Sequence, residues 1–200
     1  PNHPAGIVFK GYRGRLYKRE MIEGIRVLYI RVFTSQKKNF LTRLAFYLSF
    51  MAGASLAGML LLRQKFDLIY ATSPPLPAAG AGLWLSFYKK NPFYFEVRDL
   101  WPDSAIELGE LKNSFVIEMA KKLEQMCYAR ATKVITVTNG IEKTLKKEKQ
   151  IPAHKVELIP NGATIDSFYR DRAGGKSLRS DLGLDNKFIV LYAGILGIAQ

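Results

Sequence analysis

Apolar positions in this chain fall into short continuous runs, separated by stretches whose apolar residues recur at helical spacing. Ile25 to Phe33 (IRVLYIRVF) is rich in β-branched and aromatic residues and predicts a strand. Leu44 to Leu62 is uncharged and is bracketed by Arg43 and Arg63. It reaches the minimum length of a membrane span, but Ser49, Gly53, Ser55 and Gly58 keep its hydrophobicity modest. It reads as a buried or membrane-apposed helix rather than a span. Phe66 to Ala71 (FDLIYA) predicts a strand of the buried parallel kind, broken by Thr72-Ser73-Pro74-Pro75 because proline lacks a donor and fixes φ. Ala78 to Tyr88 predicts a helix of small residues, and Phe93 to Val97 a further strand that opens into a loop at Arg98.

The second half repeats the alternation. Phe115 to Arg130 predicts a helix capped by Ser114, with Val116, Met119, Leu123, Met126 and Cys127 on its apolar face and Lys121, Lys122 and Glu124 opposite. Lys133 to Thr138 predicts a strand, Ile141 to Gln150 a short basic helix, and Val156 to Ile159 a strand stopped by Pro160-Asn161-Gly162. Residues 170–187 are polar and glycine-bearing, like a linker, and Phe188 to Ala193 (FIVLYA) predicts a last strand before Gly194 to Gly197. Strands alternating with helices predict an α/β fold, a Rossmann-like parallel sheet with helices on both faces. In such sheets ligands gather beyond the carboxyl ends of the strands. Five post-strand segments then share one edge: 72–75, 98–104, 138–140, 160–162 and 194–197.

Composition narrows the classes. Hydrophobic residues make up 48% of the 200 positions and charged residues 24%, as in an ordinary globular domain. The single cysteine, Cys127, excludes an internal disulfide and sits in an apolar helical pattern, so it reads as structural. The two histidines, His3 and His154, form no metal-ligand spacing with it, and His154 reads as a surface residue. No Walker motif, no G-x-G-x-x-G and no G-x-S-x-G elbow occurs. The net charge is +13, and residues 1–43 alone hold ten Lys/Arg against two Glu, a net of +8. That skew points to phosphate-bearing partners or an anionic membrane face. Nucleic acid is disfavoured, because the basic residues are not interleaved with a recognition motif.

The densest chemistry is FEVRDLWPDS, residues 95–104. Arg98 offers a fork of fixed donors and Asp99 an acceptor just beyond a strand. Trp101 offers a flat apolar face, while Asp103 and Ser104 suit a helix start. Two readings stand at this point: a ligand-facing Arg98–Asp99 pair, or an internal ion pair beside a core Trp101.

The series FDLIYATSPP, FYFEVRDLWPDSAIELG, ATKVITVTNGIEKTL, VELIPNGATIDSF and LYAGILGIAQ resembles bacterial retaining glycosyltransferases of the GT-B fold, in particular the fucosaminyl-type enzymes of surface-polysaccharide synthesis. The resemblance runs from Phe66 to Gln200 and more loosely back to Pro1. It implies an acceptor-side domain over residues 1–187, with 188–200 opening a second, donor-binding domain. It also implies that the family's first strand with its glycine-rich loop, and its paired glutamates, fall outside the sequence, so the chain is expected to be an inactive fragment of a longer enzyme. By position it makes Arg98 and Asp99 the catalytic candidates, Ser73, Trp101, Asp103, Ser104, Asn139 and Asn161 substrate-binding candidates, and Gly194 and Gly197 the turn near the donor diphosphate. The implied donor is a nucleotide-diphosphate sugar and the implied acceptor a polyprenyl-linked saccharide. No metal cofactor is expected, and the implied location is the inner face of the cytoplasmic membrane. A non-catalytic basic module that binds membranes or polyanions is the alternative.

Overall fold

The computed structural model describes residues 6–37, 39–167 and 171–194. The chain divides into two compact units, Pro1–Pro160 and Asn161–Gln200. The first opens with a hairpin of β1 (Tyr17–Ile22) and β2 (Ile25–Ile30), paired antiparallel with Tyr17 opposite Ile30 and Ile22 opposite Ile25. Its two-residue turn places Glu23 and Gly24 at φ 49° and 79°, the mirror-image turn whose twist suits a hairpin. The expected strand at Ile25 is therefore real, but it forms a separate two-stranded sheet and does not join the parallel one. Its partner β1 was not anticipated, since YKREMI carries three charges and no sustained apolar alternation.

Helix α1 (Phe40–Leu61) follows, capped by Asn39, whose side chain accepts from the Thr42 N–H at 2.9 Å. Then come β3 (Ile69–Ser73), α2 (Leu76–Lys89), β4 (Phe93–Val97), the short α3 (Asp103–Glu107), α4 (Ser114–Arg130), β5 (Lys133–Thr136), α5 (Asn139–Lys147) and β6 (Val156–Leu158). Strands β3 to β6 form one parallel sheet in sequential order. Right-handed crossovers that all step the same way put their helices on one face. On that face Phe93, Phe95, Val97 and Val134 pack with Leu76, Leu83, Cys127, Tyr128 and Leu145 in a single core. Helix α2 lies close because it is built of small residues. A Cβ on Gly82 would stand 2.6 Å from the Ala71 Cβ and 3.1 Å from the Phe93 ring. The opposite face carries Tyr70, Tyr94, Glu96, Lys133 and Glu157 by the period of two.

Three local expectations are corrected. Asn113, not Ser114, caps α4, accepting from the Val116 N–H at 3.1 Å. The buried stripe of α4 runs through Ala120, Glu124, Cys127 and Tyr128, whereas Met119 and Met126 are half-exposed. The reason is polar: Glu124 is 2% exposed because Tyr128 donates to its Oε1 at 3.0 Å and Lys149 reaches its Oε2 at 3.0 Å. Burial pushes the Cys127 thiol up to about 12, with the Glu124 charge adding to the shift, so the sulfur stays protonated.

In the second unit, residues read as linker contain α6 (Arg172–Asp181). Asp171 accepts from the Gly174 N–H at 2.9 Å, and Gly183 at φ 64° ends the helix as Leu184 N–H returns to the Arg179 carbonyl at 2.8 Å. The run Phe188 to Ala193, expected as a strand, takes no strand pairing. An apolar run becomes a strand only against a partner edge, and here Phe188 and Val190 are 94% and 86% exposed.

Candidate functional site at the strand ends

The carboxyl edge of the parallel sheet is assembled by its ladder. The Arg98 N–H bonds the Ser73 carbonyl at 2.9 Å, and the Ile159 N–H bonds the Thr136 carbonyl at 2.8 Å. The segments after β3, β4 and β5 therefore lie side by side, as the sequence predicts for 72–75, 98–104 and 138–140.

Arg98 and Asp99 are exposed at this edge and have different neighbours. The Arg98 guanidinium lies 3.7 Å from the Glu96 carboxylate, on the face opposite the core. Asp99 accepts at Oδ2 from the Ser104 hydroxyl at 3.1 Å. The Ser104 hydroxyl thus fixes the carboxylate while leaving it open to solvent. Tyr70 belongs to the same cluster: burial first, then the Glu96 carboxylate, hold its phenol above the ordinary value, with Arg98 pulling the other way.

Ser73 is the candidate that burial singles out. It is 1% exposed, and its hydroxyl, like that of Thr72, finds no hydrogen-bond partner among the described residues. Buried hydroxyls are nearly always satisfied, so both orphans stand out, and the period of two sends them to opposite faces of the sheet. Trp101 is half-buried against the edge of the core and lines a cavity of about 310 Å³ with Phe40, Leu44 and Tyr47 of α1. Arg43 and Glu110, 3.8 Å apart, also line it.

Asp103 is committed elsewhere: its carboxylate meets the Lys149 ammonium at 2.5 Å, and Lys149 also holds Glu124. The network ties α3, α4 and the end of α5 together. Asn139 opens α5 at an exposed position, while the cap is Thr138, whose hydroxyl accepts from the Ile141 N–H at 3.2 Å. Asn161 and Gly194 are exposed residues of the second unit, and Gly197 lies outside the described residues. Sequence reasoning missed Tyr70 and Glu96, and took Thr72 only as part of the 72–75 segment. The alternation in FYFEV, which sends Glu96 to the face opposite Phe95, was the available signal for one of them.

No curated protein sequence matches the chain at the threshold of significance. Among solved structures, the chain is similar to HepE of Anabaena, determined in complex with UDP and glucose, at 23% identity and a TM-score of 0.46. The match covers 78% of this chain but 37% of HepE, so the chain spans little more than a third of that protein. A model of the glycosyl transferase 4-like domain matches residues 3–162, which takes in the parallel sheet, all of its covering helices and the strand-end segments after β3, β4 and β5. A match of that extent over a sheet of this topology establishes that the chain belongs to the glycosyl transferase 4-like domain family.

Proposed function

We propose that this chain is the acceptor-side part of a retaining glycosyltransferase that moves a sugar from a nucleotide-diphosphate donor to a lipid-linked saccharide in surface-polysaccharide synthesis. The carrying observation is the exposed Arg98–Asp99 pair at the carboxyl edge of a parallel sheet, within the family-matched region. Asp99 is held by Ser104 rather than spent on Arg98, so its carboxylate is available to orient a sugar or acceptor hydroxyl. Ser73 ends the neighbouring strand, its carbonyl bonded to the Arg98 N–H. Trp101 and the aromatic cavity it shares with α1 suit the apolar part of an acceptor. Cationic side chains and backbone N–H groups offset the charge of a leaving diphosphate without a metal ion.

The decisive experiment is Asp99→Asn in the enzyme expressed from its complete reading frame. The amide keeps the Ser104 hydrogen bond, so the melting temperature stays within a degree or two. Transfer falls about 10²–10⁴-fold, as for the loss of a positioned carboxylate. Near-normal transfer would rule out the catalytic role. In the same assay, chelator treatment leaves transfer unchanged.

A further inference from the structure

The hairpin carries a pocket that the strand-end site does not use. Its volume is about 180 Å³, and it is lined by the guanidinium side chains of Arg13, Arg15 and Arg31 and the phenol rings of Tyr12, Tyr17 and Tyr29. None of its residues belongs to the segments 72–75, 98–104 or 138–140. Local folding gathers the arginines. The Arg31 N–H bonds the Leu16 carbonyl at 2.8 Å, which extends the ladder beyond β1 and β2 and brings Arg31 within one residue of facing Arg15. Gly14, at φ 73°, turns the chain between Arg13 and Arg15. The Arg13 Nε–H donates to the Val8 carbonyl at 3.0 Å and so fixes that guanidinium.

A fourth cation of the pocket, Lys18, is already matched. It meets the Glu20 carboxylate at 2.5 Å and lies 4.4 Å from the centre of the Tyr12 ring, while the Tyr12 hydroxyl donates to the other Glu20 oxygen at 2.9 Å. Glu20 does not line the pocket, and neither does any other carboxylate. Among the described residues Arg13, Arg15 and Arg31 form no ion pair. Three like charges therefore share one small volume, with nothing there to offset their repulsion. An oxyanion supplies what is missing, because a guanidinium fork matches a carboxylate or a phosphate with two parallel hydrogen bonds. Size and rings define the rest of the ligand. The volume is that of about six waters, room for one pyranose. Clefts that enclose drug-sized ligands run from about 300 to 1,000 Å³, so a whole nucleotide does not fit. Tyr12 and Tyr29 meet edge to face, with ring centres 5.0 Å apart and planes at 71°. Their negative ring faces attract the C–H groups of a sugar, whereas a bare inorganic anion gains nothing from them.

We propose that the hairpin pocket binds a single acidic sugar residue, a pyranose whose carboxylate or phosphate sits among Arg13, Arg15 and Arg31 and whose ring packs on the tyrosines. Through this pocket the chain distinguishes acidic from neutral saccharides, using residues outside the strand-end segments. The proposal goes beyond the transfer reading and does not depend on it, since the pocket lies wholly within the hairpin and the segments flanking it and needs no donor.

The test is titration of the isotopically labelled 200-residue chain with glucuronate, glucose-6-phosphate, glucose and inorganic phosphate at equal ionic strength, followed by amide chemical shifts. Glucuronate and glucose-6-phosphate bind and move the Gly14 and Arg31 amides. Glucose does not bind, and inorganic phosphate binds about ten-fold more weakly than glucose-6-phosphate because it forfeits the rings. The ratio of the two acids identifies the anionic group, and either order agrees with the proposal. Arg15→Gln with Arg31→Gln weakens the binding of both acids about 100-fold, near ten-fold per guanidinium. Arg63→Gln with Lys65→Gln removes the same charge outside the pocket and leaves the affinity unchanged. All four side chains are exposed, so both double variants keep the parent's melting temperature. Glucose binding as tightly as glucuronate would overturn the proposal, and so would inorganic phosphate binding as tightly as glucose-6-phosphate. Equal losses from the two double variants would also overturn it, as would the absence of shifts with either acid or shifts centred on the Arg98 and Asp99 amides. No donor or lipid is present, so a negative result leaves the glycosyltransferase reading standing, and the Asp99→Asn assay addresses that reading alone.

Discussion

Helices α1 and α2 are both apolar, adjacent in sequence and packed on each other, yet they have opposite fates. Eight of the fourteen residues of α2 are buried, against two of the twenty-two in α1. Hydrophobicity does not separate them; side-chain size does. The buried side of α2 sets Ala79 and Gly82 between Leu76 and Leu83, which lets the backbone approach β3 and β4 until Gly82 nearly touches Ala71. Helix α1 meets α2 at Gly58 and the hairpin at Gly53, and turns leucines outward. Burial therefore follows from how closely a backbone can approach the sheet, and an apolar helix shut out of that layer keeps its leucines exposed.

Substitutions in the two layers separate sharply. The largest loss is expected from Lys149→Met, in the polar seam of the inner layer. It leaves the buried Glu124 carboxylate without its cation and costs about 3–5 kcal/mol by chemical denaturation at neutral pH. The pH dependence carries a definite sign. Burial raises the Glu124 pKa above its ordinary 4.5 in spite of the pull of Lys149. The folded state thus holds a proton that the unfolded state has released, and stability falls as pH climbs through the window above 4.5. Without Lys149 that window widens upward, so the variant recovers part of its loss at pH 5 and none at pH 8. A uniform loss across pH would show that the defect is lost packing and not the stranded charge.

Next in size is Gly82→Val in α2, which drives two methyl groups toward Ala71 and Phe93 and costs about 1–3 kcal/mol. A neutral result in a thermal melt would mean that α2 can shift outward and that close approach is not what distinguishes it. The smallest effect belongs to α1. Leu56→Ser changes stability by less than about 0.5 kcal/mol, since the side chain already faces solvent. A loss comparable to that of Gly82→Val would show that the outer face of α1 is covered in solution, and the contrast between the helices would collapse.

Much of this was legible in the chain itself. Runs such as FYFEV and KVIT announce buried parallel strands because both their composition and their breaks are local. The strand-end segments follow from them by topology, which is why the sequence places Arg98 and Asp99 at the carboxyl edge of the sheet. Interactions distant in sequence were less visible. Glu124 reads as solvent-facing until Lys149, twenty-five residues later, reaches it, and the whole apolar stripe of α4 rotates with that pair. Asp103 reads as a free helix-start carboxylate until the same lysine claims it. Strand β1 escaped because its pairing is set by the positive φ of Glu23 and Gly24 and not by an apolar pattern. The orphan hydroxyls of Thr72 and Ser73 have no sequence signature at all, since satisfaction of a buried group is a property of its surroundings.

Cys127 has a practical consequence. It is the chain's only thiol, it has no accessible surface, and its protonated state makes it unreactive while α4 stays on the sheet. Labelling by a thiol reagent at neutral pH therefore clocks the opening of the core. At low reagent the rate reports the equilibrium population of open molecules, and at saturating reagent the rate of opening itself. The native sequence thus carries its own kinetic probe at the centre of the fold. With it the stabilities of Lys149→Met, Gly82→Val and Leu56→Ser can be ranked without denaturant.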